Sequence, residues 1–176
     1  SSHITMLTQQ CMNVRPAIAQ EDDLIATHFY HMWLDNQVPE AAIVPNWRTL
    51  VQQFIVQARR ALDYQAFVAE VDGRVVGSAG CQRFAGPYPN IMQGGYRCDG
   101  YIWGVYVEPA YRKRGIATAL TQQTIAYLKS IGCTHAVLNA SPSGKPVYAG
   151  LGFADANLMR LVLESHSLAQ PFDHTD

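Results

Sequence analysis

Arg112, Lys113, Arg114 and Gly115 set two guanidinium groups and an ammonium beside a residue that leaves its backbone open. Such a cluster suits an anion. The cations supply charge-assisted hydrogen bonds, and glycine lets a ligand come close to the main-chain N–H groups. The flanking residues point the same way. Upstream, Ile102, Val105, Tyr106 and Val107 are β-branched or aromatic and read as a strand, which Pro109 stops by removing a donor. Downstream, Ala117, Leu120, Thr124, Leu128 and Ile131 recur near one face of a helix. Strand, glycine turn and helix together aim the unpaired N–H groups of the first helical turn at an anion. Residues 101–127 therefore read as a diphosphate cradle. The chain contains neither GxxxxGK[ST] nor GxGxxG, so this is not one of the two commonest phosphate loops.

The string V-x-V-x-P-x-Y-R-x-x-G-x-A over residues 105–117 resembles motif A of the GNAT superfamily of N-acetyltransferases, whose core is [QR]-x-x-G-x-[GA]. Arg112, Gly115 and Ala117 fill the three defining positions. A second stretch, K-P-V-Y-A-G-L-G-F over residues 145–153, resembles motif B of the same family. The resemblance spans roughly residues 14–163, although its specific motifs occupy only 101–118 and 138–153. It implies acetyl transfer from acetyl-coenzyme A to an amine. By that resemblance Val105, Tyr106, Val107, Arg112, Lys113, Arg114, Gly115, Ile116, Ala117 and Thr118 hold the cofactor. Pantetheine is then expected in a gap between splayed parallel strands, with Asn139 as a hydrogen-bonding partner.

The chemistry asks for a held thioester, a neutral amine and a proton for the departing thiolate. Backbone N–H groups near residues 105–107 can polarise the thioester oxygen, and holding both reactants in one cleft accelerates the reaction by proximity. Tyr148, at the tyrosine position of motif B, is the candidate general acid: a phenol with an ordinary pKa near ~10 is protonated at neutral pH. The general base is less legible. Tyr101 stands where some members of the family carry a glutamate, while Asp99, Glu40 and His31 are within reach in sequence. Water-mediated proton removal, assisted by a carboxylate, is the expectation.

Composition sets the outer bounds. The 176 residues are 48% hydrophobic and 15% charged, enough for one domain, 1–176, with a substantial core. A net charge of −1 provides no broad positive field, so no nucleic acid partner is expected. No apolar run is long enough to cross a membrane. Residues 1–12 lack the charged and apolar stretches of a secretory leader. Cys11, Cys81, Cys98 and Cys133 are widely spaced without a CxxC, which reads as reduced thiols in a cytoplasmic protein. His28, His31 and Asp35 can share a face, but packing is the commoner role of such histidines and no metal is expected.

In chain order, residues 14–17 read as a first strand. A helix follows from about Glu21 to Leu34, then a loop over 36–46 and a second helix over 47–62. Asp72-Gly73 marks the turn of a hairpin over 65–84. Residues 85–100, rich in Gly, Pro, Tyr and Asn, read as a binding loop, with Tyr88, Tyr96, Tyr101 and Trp103 in or after it. Residues 135–140 read as a buried strand, Lys145-Pro146 as the start of a short helix with proline in its first turn, and 158–163 as a closing strand. Flexible ends are expected at 1–12 and 165–176. The fold class is α/β (α+β), GNAT-like. It is a mixed, mostly antiparallel sheet of about six or seven strands, with helices on both faces and a splayed central parallel pair. The leading activity is acetylation of a primary amine of a small molecule by direct attack in a ternary complex. A protein or peptide amine as acceptor, or a non-catalytic acyl-coenzyme A sensor, are the alternatives. A homodimer is plausible by the family's habit.

Overall fold

The computed structural model describes residues 11–164. Five strands form one sheet in the order β1-β2-β3-β4-β5: β1 Met12–Pro16, β2 Gln65–Val71, β3 Arg74–Arg83, β4 Asp99–Val107 and β5 His135–Val137. The first three junctions are antiparallel, and β4–β5 is parallel. The β2–β3 hairpin turns where expected, with positive φ at both Asp72 (51°) and Gly73 (80°), the conformation that two-residue hairpin turns demand. Met12, expected in a flexible end, instead opens β1 and pairs with Val71. The Cys11 carbonyl accepts from the Asp72 N–H at 3.4 Å, and the other residues of the expected flexible ends, 1–10 and 165–176, lie outside the described residues.

Helices cover both faces of the sheet, and the strands' alternation decides which residues meet them. Phe67, Ala69 and Val71 of β2 and Ile102 and Val107 of β4 pack with Ile116, Leu120 and Leu128 of α3 (Ile116–Ser130). Ala66 of β2 and Trp103 of β4 point the other way. They pack with Ile25 of α1 (Asp22–Asp35) and with Ile55 and Ala58 of α2 (Trp47–Ala61). A short helix, α4 (Lys145–Gly150), follows β5 with proline in its first turn.

Two expectations about the sheet are corrected. β5 ends at Val137 rather than at Ala140, because its last pairing is Tyr101↔Val137 and residues 138–140 diverge from β4. Residues 158–163 form no strand. Leu158, Met159, Leu161 and Leu163 are more than three-quarters exposed, and the sheet has five strands among the described residues. The splay of the parallel pair is as expected: past residue 101, β4 keeps β3 on one side and has no strand on the other.

One irregularity in β4 governs the site. Ser78 pairs with Tyr106 and Gly80 with Trp103, so Gly104 and Val105 together face the single residue Ala79. This is a β-bulge, and Gly104 adopts φ +68°, a left-handed conformation that favours glycine. The extra residue changes the phase of the strand. Ile102 and Val107 share the α3 face although they are five positions apart. Tyr106 joins Trp103 on the α1 face, its ring 5.1 Å from that of His28.

Candidate active site

The gap beside β4 opens into two cavities that meet. The first, about 480 Å³, runs from Val105–Val107 along the turn at Arg112, Lys113 and Gly115 to Ile116, Ala117 and Thr118, and is closed by Ser143, Gly144, Val147 and Tyr148. The second, about 440 Å³, lies between α1, α2 and the sheet, against Phe29, Trp33, Leu50, Phe54 and Trp103. Met32, Asn36, Val105, Ser141 and Tyr148 line both. The junction of the cavities is thus the bulged strand on one side and the Tyr148 ring on the other.

The turn has the geometry of an anion seat. Gly115 is the N-cap of α3 at φ +79°, ψ 10°, and no side chain caps the helix, so its first N–H groups are available. A Cβ at Gly115 would meet nothing within 4 Å, so the left-handed backbone, rather than crowding by the protein, is what calls for glycine. Lys113 also has positive φ (62°), unusual for a residue with a side chain. The donor chemistry and open space fit the diphosphate of an acyl-coenzyme A.

Three expected cofactor residues are placed differently from the rest. Arg112 lines the cavity, but its guanidinium is engaged: Nε donates to the Val107 carbonyl at 2.8 Å and an Nη to Asp35 at 2.6 Å. It braces the turn against β4 and α1 instead of reaching outward as a loose cation. Arg114 lies outside the cavity lining, with its guanidinium over the Tyr111 ring at 5.4 Å. Asn139 lines the second cavity and donates from Nδ2 to the Tyr101 hydroxyl at 2.6 Å. That bond bridges β4 and the diverging residues after β5, leaving the Asn139 carbonyl oxygen as its further polar group.

Tyr148 stands on α4, held edge-on by Phe153 at 5.9 Å. Burial pushes its phenol up to about 12, so the hydroxyl keeps its proton throughout the physiological range. Burial likewise raises Tyr101. None of the sequence's candidate bases lines the second cavity. Asp99 pairs with Arg97 at 3.2 Å, Glu40 accepts from the Tyr30 hydroxyl at 3.2 Å, and His31 lies by Tyr106 at a ring distance of 6.2 Å. His28 is 2% exposed and its Nδ1 shares a hydrogen bond with Ser78 Oγ at 2.8 Å. Burial, then the neighbouring His31, lowers it to about 4. Among the described residues no group of three or more His, Cys, Asp or Glu side chains could hold a metal.

By the family resemblance the first two helices and their connection are expected to help wall the acceptor site, and they do line the second cavity, but the sequence does not single out the residues that line it. Phe29, Trp33, Leu50, Phe54 and Gln82 read as core or strand residues in their own helices and strands. Only the crossing of α1 and α2 over β4 brings them together.

Comparison with known proteins agrees with this geometry. The acetyltransferase (GNAT) family matches residues 18–153, and the chain belongs to that family. It is similar to a glucosamine 6-phosphate N-acetyltransferase of Trypanosoma brucei brucei. The two are 34% identical over 109 residues, covering 61% of this chain and 71% of the relative. An acetyltransferase from Clostridium acetobutylicum, solved with acetyl-coenzyme A, superposes with a TM-score of 0.73 at 25% identity, covering 89% of this chain and 99% of that one. A GCN5-related N-acetyltransferase from Ralstonia eutropha shares the fold, with a TM-score of 0.71 at 24% identity over 87% of this chain and 99% of its own. The protein is an acetyltransferase that uses acetyl-coenzyme A. No helix among the described residues is long and apolar enough to cross a membrane.

Proposed function

We propose that this protein transfers the acetyl group of acetyl-coenzyme A to the primary amine of a small molecule by direct attack in a ternary complex. The observation that carries the proposal is the meeting of the two cavities at Val105 and Tyr148. A thioester lying along the splay and an amine standing in the second cavity would come together there. The similarity to an enzyme named for a small amino sugar phosphate supports a small acceptor.

The roles follow from position. Ile116, Ala117 and Thr118 offer N–H groups to the diphosphate, with Gly115 keeping the approach open and Lys113 adding charge; Arg112 positions the turn, and Arg114 adds to the local positive field. Val105, Tyr106 and Val107 line the cofactor cavity beside the splay, where a free N–H on the open edge of this strand can polarise the thioester carbonyl. Asn139 orients pantetheine. The amine nitrogen bonds to the carbonyl carbon, the C–S bond breaks, and Tyr148 gives the thiolate its proton. The amine loses one proton to water, and water returns one to the Tyr148 phenolate, which restores the balance. With a phenol raised by burial, complete transfer to a thiolate of ordinary basicity is uphill, so much of the benefit of Tyr148 lies in hydrogen bonding to the developing thiolate.

The test is release of free thiol from acetyl-coenzyme A with and without a mixed panel of amines. Amine-dependent release is expected; binding with no turnover on any amine would overturn the proposal. The chain is read as one catalytic domain. All four cysteines are free, which fits the reducing cytoplasm, and a tagged protein recovered outside the cytoplasmic fraction would contradict that location. The exposed apolar side chains at 158–163 are a surface that a second copy would cover, supporting a homodimer. Light scattering at micromolar protein should then give twice the chain mass, and a monomer would refute it.

A further inference from the structure

Among the described residues, the wall of the second cavity carries no Lys, Arg, Asp, Glu or His. Its centre is Trp103, met edge-on by Phe29 at 5.2 Å and 87° and by Phe54 at 5.4 Å and 90°. The indole Nε1 donates to Gln82 Oε1 at 3.0 Å, which uses the ring's single polar atom within the protein. Trp103 therefore presents apolar surface to whatever enters. At the mouth, Leu50 and Phe54 remain 47% and 52% exposed, so α2 leaves two large apolar side chains beside the cavity instead of in the core.

Several charged groups on the adjoining walls are partnered elsewhere, while Lys113 lies at the cofactor turn. Asp35, on the cofactor side, pairs with Arg112 at 2.6 Å. Arg97 and Asp99 pair with each other at 3.2 Å near His135, along a different cavity beyond β5. His28 is bonded to Ser78 behind Tyr106. The titratable groups that line the acceptor cavity are Tyr101 and Tyr148.

A phosphate placed here would give up water and meet no cation among the described lining residues, and a polyhydroxylated ring would find its side-chain partners limited to Asn36, Gln82, Tyr101, Asn139, Ser141 and Tyr148, of which Gln82, Tyr101 and Asn139 are already engaged. An aromatic or branched aliphatic body would instead bury its own surface together with the exposed edges of Leu50 and Phe54. With no carboxylate or imidazole on the wall to accept a proton, attack requires an amine that is already neutral. Resting on the acetyltransferase reading above, we infer that the acceptor is a primary amine on an apolar, aromatic or branched aliphatic body without phosphate, and that it reacts as the free base. This separates the chain from its Trypanosoma relative, whose name specifies a sugar phosphate.

The experiment is kcat/KM at saturating acetyl-coenzyme A for 2-phenylethylamine, isoamylamine, glucosamine and glucosamine 6-phosphate, from pH 6 to 10. The melting shift with acetyl-coenzyme A is measured in parallel. We expect 2-phenylethylamine to exceed glucosamine 6-phosphate by about 100-fold or more, and Phe54→Ala to raise KM for the aryl amine roughly tenfold without raising that for acetyl-coenzyme A. The rising limb of log kcat/KM should follow the acceptor, moving to lower pH with a β-fluorinated 2-phenylethylamine of lower basicity. Preference for glucosamine 6-phosphate, or a limb fixed at one pH for both aryl amines, overturns the inference and leaves acetyl transfer standing. Failure to turn over any of the amines while the melting shift persists also overturns the inference. Loss of both turnover and shift overturns the acetyltransferase reading with it.

Discussion

Gly115→Ala separates the cost of the turn's backbone from the cost of filling the cofactor's space. Gly115 sits at φ +79°, and an L-residue in the left-handed region costs about 1 kcal/mol. Since a Cβ there meets nothing within 4 Å, the free protein should lose little more than this. For a chain of this size 1 kcal/mol corresponds to a Tm about 2–4 °C lower. If the diphosphate rests on this turn, the added methyl group projects into the ligand's position and weakens binding beyond the folding cost. At about 100 times the dissociation constant, acetyl-coenzyme A stabilises the native protein by ~2.7 kcal/mol, or about 5–11 °C. A tenfold loss of affinity at the same concentration reduces this to ~1.4 kcal/mol, or about 3–6 °C. Gly115→Asn is the control: asparagine tolerates the left-handed region, so the Tm of the free protein should recover while the ligand shift stays reduced. The assay is differential scanning fluorimetry with calorimetric titration of acetyl-coenzyme A. A Tm drop in Gly115→Ala accompanied by an unchanged ligand shift would refute the placement of the diphosphate on α3.

Tyr148→Phe keeps the ring against Phe153 and removes only the hydroxyl. Steady-state kinetics should show kcat down by roughly 100-fold or more, with KM for acetyl-coenzyme A little changed. Because burial pushes the phenol up to about 12, it stays protonated to pH 10, and the native and variant pH profiles should run parallel; profiles that diverge below pH 9 would contradict the donor role. His28 predicts an acid-side loss of stability. Its pKa is about 4 folded, below the ordinary 6.5, so between these values the unfolded chain binds the extra proton. The contribution is complete above about pH 6.5 and falls by ~1.4 kcal/mol per pH unit across the window. Urea unfolding from pH 7.5 to 4.5 should show this slope in the native protein and a flatter one in His28→Gln; equal slopes would assign the acid loss to other groups.

The turn was legible because its determinants are local. Pro109 ending the strand and Gly115 opening the helix each act on their own backbone, and the same holds for Asp72-Gly73 in the hairpin. The closing strand at 158–163 was misread for the complementary reason. Its apolar, β-prone residues satisfy the local preference, yet a strand exists only when another strand takes its ladder hydrogen bonds, and no strand of the described sheet pairs with these residues. Arg112 lies between the two cases. Its position in the motif was evident, but the direction of its side chain depends on Asp35, 77 residues away.

The bulge at Gly104 explains why the site could not be read from alternation alone. Strict alternation across β4 would put Trp103 and Tyr106 on opposite faces. With the extra residue they share the α1 face, while Ile102 and Val107 both serve the α3 core. The strand thereby keeps core packing at both ends and reverses phase between them, with Val105 at the junction of the cavities. A bulge also disrupts the local ladder, and here it lies where β5 has already diverged. The same few residues therefore supply the cofactor gap, the aromatic wall and the change of phase. This is why substitutions that fix Gly104 in an extended conformation should disturb the two cavities together.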